Sequence, residues 1–147
     1  MQEDKQKEIM ILIAEDDDGH AELAIENLRE AGVHNPITRF KDGQEIWDFF
    51  TGQTLTKFEH GKSYLILLDI RMPKLDGVEV LRRIKADENY KNIPVMMLTT
   101  TDDPHEIETC YRLGCSCFVT KPVDFNHFTE ALKRLGLFIM VMRVPEV

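Results

Sequence analysis

Short apolar runs alternate with amphipathic stretches along the chain, without an internal repeat or a linker rich in Pro, Gly or Ser. Ile9-Met10-Ile11-Leu12-Ile13-Ala14 has no polar alternation, the pattern of a strand buried on both faces. Asp18 is then placed to cap a helix whose apolar positions Ala21, Ala24, Ile25 and Leu28 follow helical spacing, with Gly32 as its stop. Ile37 to Phe40 predicts a weaker edge strand, and Asp42 or Gly43 opens a helix through Ile46, Trp47 and Phe50 that closes near Gly52. Thr51 to Ser63 is polar and irregular, a long loop before a third strand from Tyr64 to Leu68. Beyond the turn at Met72-Pro73, a helix carries Val78, Leu81 and Ile84, and Pro94 to Leu98 is a fourth strand. Pro104 suits a first helical turn and precedes Ile107, Cys110 and Tyr111 on one helical face. Ser116 to Thr120 is the fifth strand. Asp124 caps a last helix with Phe125, Phe128, Leu132 and Leu135 inward, and Lys133 and Arg134 suit its C-terminal dipole if it ends near Gly136.

Five strands alternating with five helices predict an α/β fold, a parallel sheet covered on both faces by right-handed crossovers. Such folds bind ligands beyond the carboxyl ends of their strands. The residues there are Glu15-Asp16-Asp17, Lys41-Asp42, Asp69-Ile70-Arg71, Thr99-Thr100 and Lys121-Pro122.

Composition narrows the function. The 147 residues hold 18 Lys+Arg against 26 Asp+Glu, a formal charge of −8, which leaves no electrostatic footprint for nucleic acid or an anionic membrane surface. The length suits one domain spanning residues 1–147, with a core at 8–136 and an apolar extension at 137–147. MQEDKQKE is too polar for a targeting signal, and no apolar run approaches the roughly 20 residues of a membrane span, so a cytoplasmic location is expected. Cys110, Cys115 and Cys117 fit neither a disulfide framework nor a zinc signature and are read as core or near-surface residues.

Glu15, Asp16 and Asp69 would meet at adjacent strand ends, where clustered carboxylates repel unless a positive charge sits among them. All the ligands on offer are oxygens, which favours Mg2+ over zinc. The bland alternative is that acids here cap helices in solvent, a role open above all to Asp17 and Asp18. Lys121 would project into the same crevice as a fixed counter-charge, and Thr99 offers a hydroxyl from the neighbouring strand end. Metal, lysine and hydroxyl around a nucleophilic carboxylate describe a phosphoryl-transfer site.

With ILIAEDD at the first strand, LLDIRMPKLDG at the third, PVMMLTT at the fourth and FVTKP at the fifth, the chain resembles the receiver domains of two-component response regulators from Ile11 to about Leu135. That resemblance implies a (βα)5 flavodoxin-like three-layer sandwich with strand order 2-1-3-4-5. It implies Asp69 as phosphoacceptor, Asp16 as a direct Mg2+ ligand, Glu15 as a ligand through water, and the Arg71 backbone carbonyl as a further ligand. Thr99 takes the place of the switch hydroxyl and Lys121 that of the site lysine, and the Lys121-Pro122 peptide is expected to be cis. The switch aromatic falls on Phe118, which lacks the hydroxyl of the commoner tyrosine, so its coupling must work by packing. Arg71 and Thr101, at the positions that tune dephosphorylation, offer no acid or amide to orient water, which implies a long-lived phosphoryl group. Thr100, small beside Thr99, leaves that group room.

The long loop, the Glu-Asp acidic pair and the apolar tail further resemble the stand-alone receivers paired with bacterial and cyanobacterial phytochrome histidine kinases. A light-sensing histidine kinase, or a phosphotransfer protein, is then the implied partner, docking around Ala21 to Leu28 and the loop after the fifth strand. The tail from Leu137 to Pro145 reads either as a continued helix packed on its own domain or as a homodimer arm through Phe138, Ile139, Val141 and Val144. A haloacid-dehalogenase-like phosphatase would need an acid where Arg71 stands, and a flavin binder would need a phosphate loop where Glu15 to Asp18 would repel phosphate. A receiver used as a phosphorylation-independent binding module is the remaining alternative.

Overall fold

The buried apolar runs become the strands of one sheet in a computed structural model that describes residues 8–121 and 124–147. The strands are β1 (Ile9–Ala14), β2 (Ile37–Phe40), β3 (Ser63–Leu68), β4 (Val95–Thr99) and β5 (Cys117–Thr120). Between and after them lie α1 (Asp18–Glu30), α2 (Gly43–Phe50), α3 (Gly77–Ala86), α4 (Pro104–Leu113) and α5 (Phe125–Val141). The five strands pair in parallel in the order β2-β1-β3-β4-β5, the flavodoxin-like arrangement expected.

Alternation along the central strands divides the core in two. Leu12, Ala14, Ile66, Leu68 and Met97 face one way and pack with Ile46, Phe49, Leu81, Ile84 and Cys110 of α2, α3 and α4. Ile11, Ile13, Leu65, Leu67 and Met96 face the other and pack with Leu28 of α1 and Leu135 and Ile139 of α5. Near the carboxyl ends Ala24, Leu98, Phe128 and Leu132 form a third cluster.

Side-chain caps set the helix starts. Asp17, rather than Asp18, caps α1, its carboxylate accepting from the His20 N–H, which frees Asp18 to pair with Arg39. Asp42, Asp76, Asp103 and Asp124 cap the other four helices. The Asp76-Gly77 dipeptide has a steric reason as well: a Cβ on Gly77 would lie 2.0 Å from the Asp69 carbonyl oxygen. Only a glycine lets the start of α3 close onto the backbone of the third strand's end.

Several sequence expectations are corrected. The last helix does not end near Gly136 but runs to Val141. A Cβ at Gly136 would come within 2.7 Å of Ala31 Cβ, so this glycine permits close approach of α5 to α1 and does not stop the helix. Lys133 and Arg134 therefore lie in the body of α5, away from its last turn. Ile139, expected in a dimer arm, is 2% exposed within its own domain, and Val144 packs against that same cluster. Phe138 and Val141 remain exposed. Residues after α5 fold back along the start of β3, where Val147 N–H donates to the Lys62 carbonyl (3.0 Å) and Ser63 Oγ to the Val144 carbonyl (3.2 Å). Phe125 and Tyr111, placed inward by helical spacing, are exposed, and in α3 Val80 takes the fully buried position expected of Val78. The tyrosine ring lies at the sheet edge, where its hydroxyl accepts from Phe118 N–H (3.1 Å). Cys110 and Cys115 are buried, and burial pushes both thiols up, Cys115 to about 11, consistent with an inert packing role.

Candidate functional site

Hydrogen bonds of the sheet continue past the strand ends and hold the site residues in place. Glu15 N–H donates to the Phe40 carbonyl (3.0 Å), Asp69 N–H to the Ala14 carbonyl (3.1 Å) and Lys121 N–H to the Thr99 carbonyl (2.7 Å). Glu15, Asp69 and Lys121 are thus extensions of β1, β3 and β5, Thr99 is the last residue of β4, and all four are buried.

At the centre, Glu15, Asp16 and Asp69 each present a carboxylate oxygen within 4.8 Å of the others. Asp16 is the exposed member and the other two are buried. The Asp69 Oδ1 accepts from the Ile70 N–H (2.7 Å), which fixes the carboxylate and leaves Oδ2 3.6 Å from the Lys121 ammonium. Lys121 Nζ is bonded to Glu15 Oε1, while Glu15 Oε2 accepts from Asp17 N–H (3.1 Å). Three carboxylates against one ammonium leave a formal charge of 1 − 3 = −2 when all are ionised. Burial pushes the Glu15 carboxyl up to about 7, with the Asp69 charge adding to the rise and Lys121 opposing it. The oxygen donor set and the excess negative charge fit a hard divalent cation.

Thr99 Oγ1 is buried without a hydrogen-bond partner among the described residues. Buried hydroxyls are ordinarily paired, so this one is a donor in reserve at the strand end beside Asp69. Arg71 points outward and forms a two-point ion pair with Glu106 of α4, with Nη1–Oε2 and Nη2–Oε1 both 3.0 Å. Phe118 is half-buried on the α2, α3 and α4 side of the sheet, in register with Met97. The expected cis peptide at Lys121-Pro122 involves a residue outside those described.

Two residues of the site were not anticipated. Arg39 donates to the Glu15 carbonyl from Nε (2.9 Å) and Nη2 (2.7 Å) and to Asp18 from Nη1 (2.7 Å), tying the acidic loop to β2. His20, in the first turn of α1, brings Nδ1 to 3.2 Å from the Lys121 ammonium. A register of β2 against β1 would have placed Arg39 beside the loop, but a lone histidine carries no sequence signal.

Among known proteins, the response regulator receiver domain matches residues 11–133. A receiver domain from Rhodospirillum rubrum is 41% identical, with a TM-score of 0.88 over 94% of this chain and 98% of its own. Response regulator Rcp1 from Synechocystis sp. is 32% identical over 130 residues, 88% of this chain and 87% of its own. Its Mn2+-bound crystal structure superposes with a TM-score of 0.84 at 27% identity, over 92% of this chain and 98% of that one. The phosphorylated cyanobacterial phytochrome response regulator RcpA superposes with a TM-score of 0.84 at 29% identity, over 92% of this chain and 97% of its own. The match enters within β1, leaves within α5 and takes in every strand end described above, so that this chain belongs to the response regulator receiver domain family.

Proposed function

We propose that this chain accepts a phosphoryl group on Asp69 from the phosphohistidine of a sensor kinase or phosphotransfer protein. The observation that carries this reading is the disposition of Asp69. One carboxylate oxygen is tied to the Ile70 N–H, and the other faces the buried ammonium inside a cluster of acids. Oδ2 attacks phosphorus in line, the P–N bond to the donor imidazole breaks, and the electron pair leaves with the imidazole, which takes up a proton. Lys121 then meets a phosphoryl oxygen and Thr99 Oγ1 donates to another, which gives the unpaired hydroxyl its partner. Glu15, Asp16, Asp69 and the Arg71 carbonyl are the residues that would hold Mg2+. Held there, Mg2+ would supply positive charge to neutralise oxygens of the phosphoryl group.

The likeness to RcpA, a cyanobacterial phytochrome response regulator, supports a phytochrome-type, light-sensing kinase as donor. Its helical docking face would be α1 and the loop after β5. The catalysis is confined to self-phosphorylation and loss of the phosphoryl group, slow because Arg71 is drawn to Glu106 and Thr101 is a weak water-orienter. Drawing Thr99 inward repacks Phe118 and alters the α4-β5-α5 face, which changes affinity for a partner or for a second copy. The exposed apolar residues Leu137, Phe138, Met140 and Val141 on α5 support self-association with a second copy. Among the described residues no helix is long and apolar enough to cross a membrane.

The test is intact-mass analysis with acetyl phosphate and Mg2+, beside Asp69→Asn. A single Mg2+-dependent phosphoryl adduct, absent in the variant, is expected. No adduct under conditions that label another receiver would favour the phosphorylation-independent binding module.

A further inference from the structure

An ammonium has three protons to donate and no lone pair, and the Lys121 side chain is 3% exposed, so its protons need acceptors inside the protein. Glu15 Oε1 takes one. Asp69 Oδ2, at 3.6 Å, is beyond hydrogen-bond length. Among the described residues, the acceptor that remains is Nδ1 of His20, at 3.2 Å. Since lysine can only donate, Nδ1 accepts and the ring proton sits on Nε2. The ring is held for this role from two sides. His20 N–H is locked to the Asp17 carboxylate (2.9 Å) in the first turn of α1, and Phe128 of α5 contacts the imidazole edge-on, with centroids 5.6 Å apart at 71°. Ala24, Leu98 and Phe128 give the small cavity beside the ammonium an apolar wall, and its other polar lining among the described residues is Glu15, Asp69 and His20 itself.

We propose that His20 is a positioning residue for Lys121: together with Glu15 it seats the ammonium at rest, so that Asp69 meets an incoming phosphoryl group unclamped. This rests on the reading of Asp69 as phosphoacceptor. Without the Nδ1 acceptor, the nearest carboxylate oxygen beyond Glu15 among the described residues is Asp69 Oδ2, and closing that gap makes a charge-assisted pair. An oxygen held in such a pair attacks phosphorus more slowly, because the pair must open before the new P–O bond forms. In the reaction with acetyl phosphate, the Asp69 Oδ2–P bond forms as the acetyl O–P bond breaks, and acetate leaves with the electron pair.

The experiment follows phosphorylation of the full chain by acetyl phosphate at saturating Mg2+ for wild type, His20→Leu and His20→Asn. Leucine fills the space beside Phe128 but accepts no hydrogen bond, whereas the Asn Oδ1 stands where Nδ1 does. His20→Leu is expected to react about tenfold more slowly, the scale of one hydrogen bond to a charged group, and His20→Asn to recover the wild-type rate. Nitrogen NMR of the Mg2+-free protein is expected to show Nδ1 of His20 unprotonated, with a resonance that moves in Lys121→Met. Equal rates for His20→Leu and wild type, a slow His20→Asn, or an Nδ1 resonance indifferent to Lys121→Met would each overturn the proposal. Failure of the wild type to be labelled would instead sink the phosphoacceptor reading, and the NMR result would still decide whether His20 seats the lysine.

Discussion

The central strands and the far edge of this domain are built to different standards. β1 and β3 pair over six residues each, from Ile9 with Ser63 to Ala14 with Leu68, and every residue of β3 is buried. β5 is half-buried at the sheet edge, and α5 beside it leaves five large apolar side chains in solvent. Glu15 and Asp69 hang from the rigid centre, whereas the surface that would report their chemistry hangs from the loosely packed edge. A phosphoryl group can bias such an edge with a few new hydrogen bonds, because little buried area opposes the change.

The sharpest way to break that contrast is to damage the centre. Ile66 is fully buried and belongs to the α2, α3 and α4 side of the core, so Ile66→Ala is expected to lower stability by about 2–5 kcal/mol in urea unfolding. If the loss were no larger than for an exposed α5 residue, the two regions would not differ as argued.

The site at the centre is itself held against an electrostatic strain. The Glu15 carboxyl is raised from 4.5 to about 7, chiefly by burial. Between those values the folded state binds more protons than the unfolded chain, so this group stabilises the fold at low pH and loses that contribution as pH rises from about 4.5 through 7. In Mg2+-free buffer, the difference in unfolding free energy between wild type and Glu15→Gln is therefore expected to drift against the wild type across that window, by roughly 1–3 kcal/mol. A difference independent of pH would mean that Glu15 is ionised at no cost.

The same division governs what was legible in the sequence. Apolar runs with turn residues between them located the strands to within a residue, and the parallel sheet followed because buried runs alternating with helices admit few topologies, whereas the order 2-1-3-4-5 came from the resemblance to receiver domains. The strand-end rule then brought Glu15, Asp16, Asp69, Thr99 and Lys121 to one place. What escaped lies where helical spacing meets a neighbour it does not know about. Gly136 looks like a terminator until Ala31 is found against it, and Tyr111 looks like core until its hydroxyl is found at the backbone of β5. The seat of Lys121 on His20 joins residues 101 positions apart, and nothing local announces it.

Gly136 offers an intermediate test at the seam between the two regions. Gly136→Ala places a methyl 2.7 Å from Ala31 Cβ while raising helix propensity. Overpacking in a fitted interface outweighs that gain, so a net loss of about 1–2 kcal/mol is expected in thermal or urea unfolding. A stabilised variant would show that α5 rests on α1 with slack, and that the helix runs on past Gly136 by propensity alone.

The smallest effect on stability is expected at the exposed end of α5. Phe138 is 52% and Val141 76% exposed, so Phe138→Ser with Val141→Ser removes little buried area, and monomer stability should change by no more than about 0.5 kcal/mol. Neighbouring Ile139 stays anchored in the core and keeps the helix in place. Self-association is where the double variant should act, since apolar side chains held rigidly in solvent gain most from being covered by a second copy. Sedimentation equilibrium with and without beryllofluoride separates the possibilities. Weaker association in both states would assign the α5 end to a constitutive dimer face, and weaker association only with the phosphoryl mimic would tie that face to the site at the strand ends. An unchanged dimer constant in both would remove α5 from the interface and leave the apolar edge to a partner of a different kind.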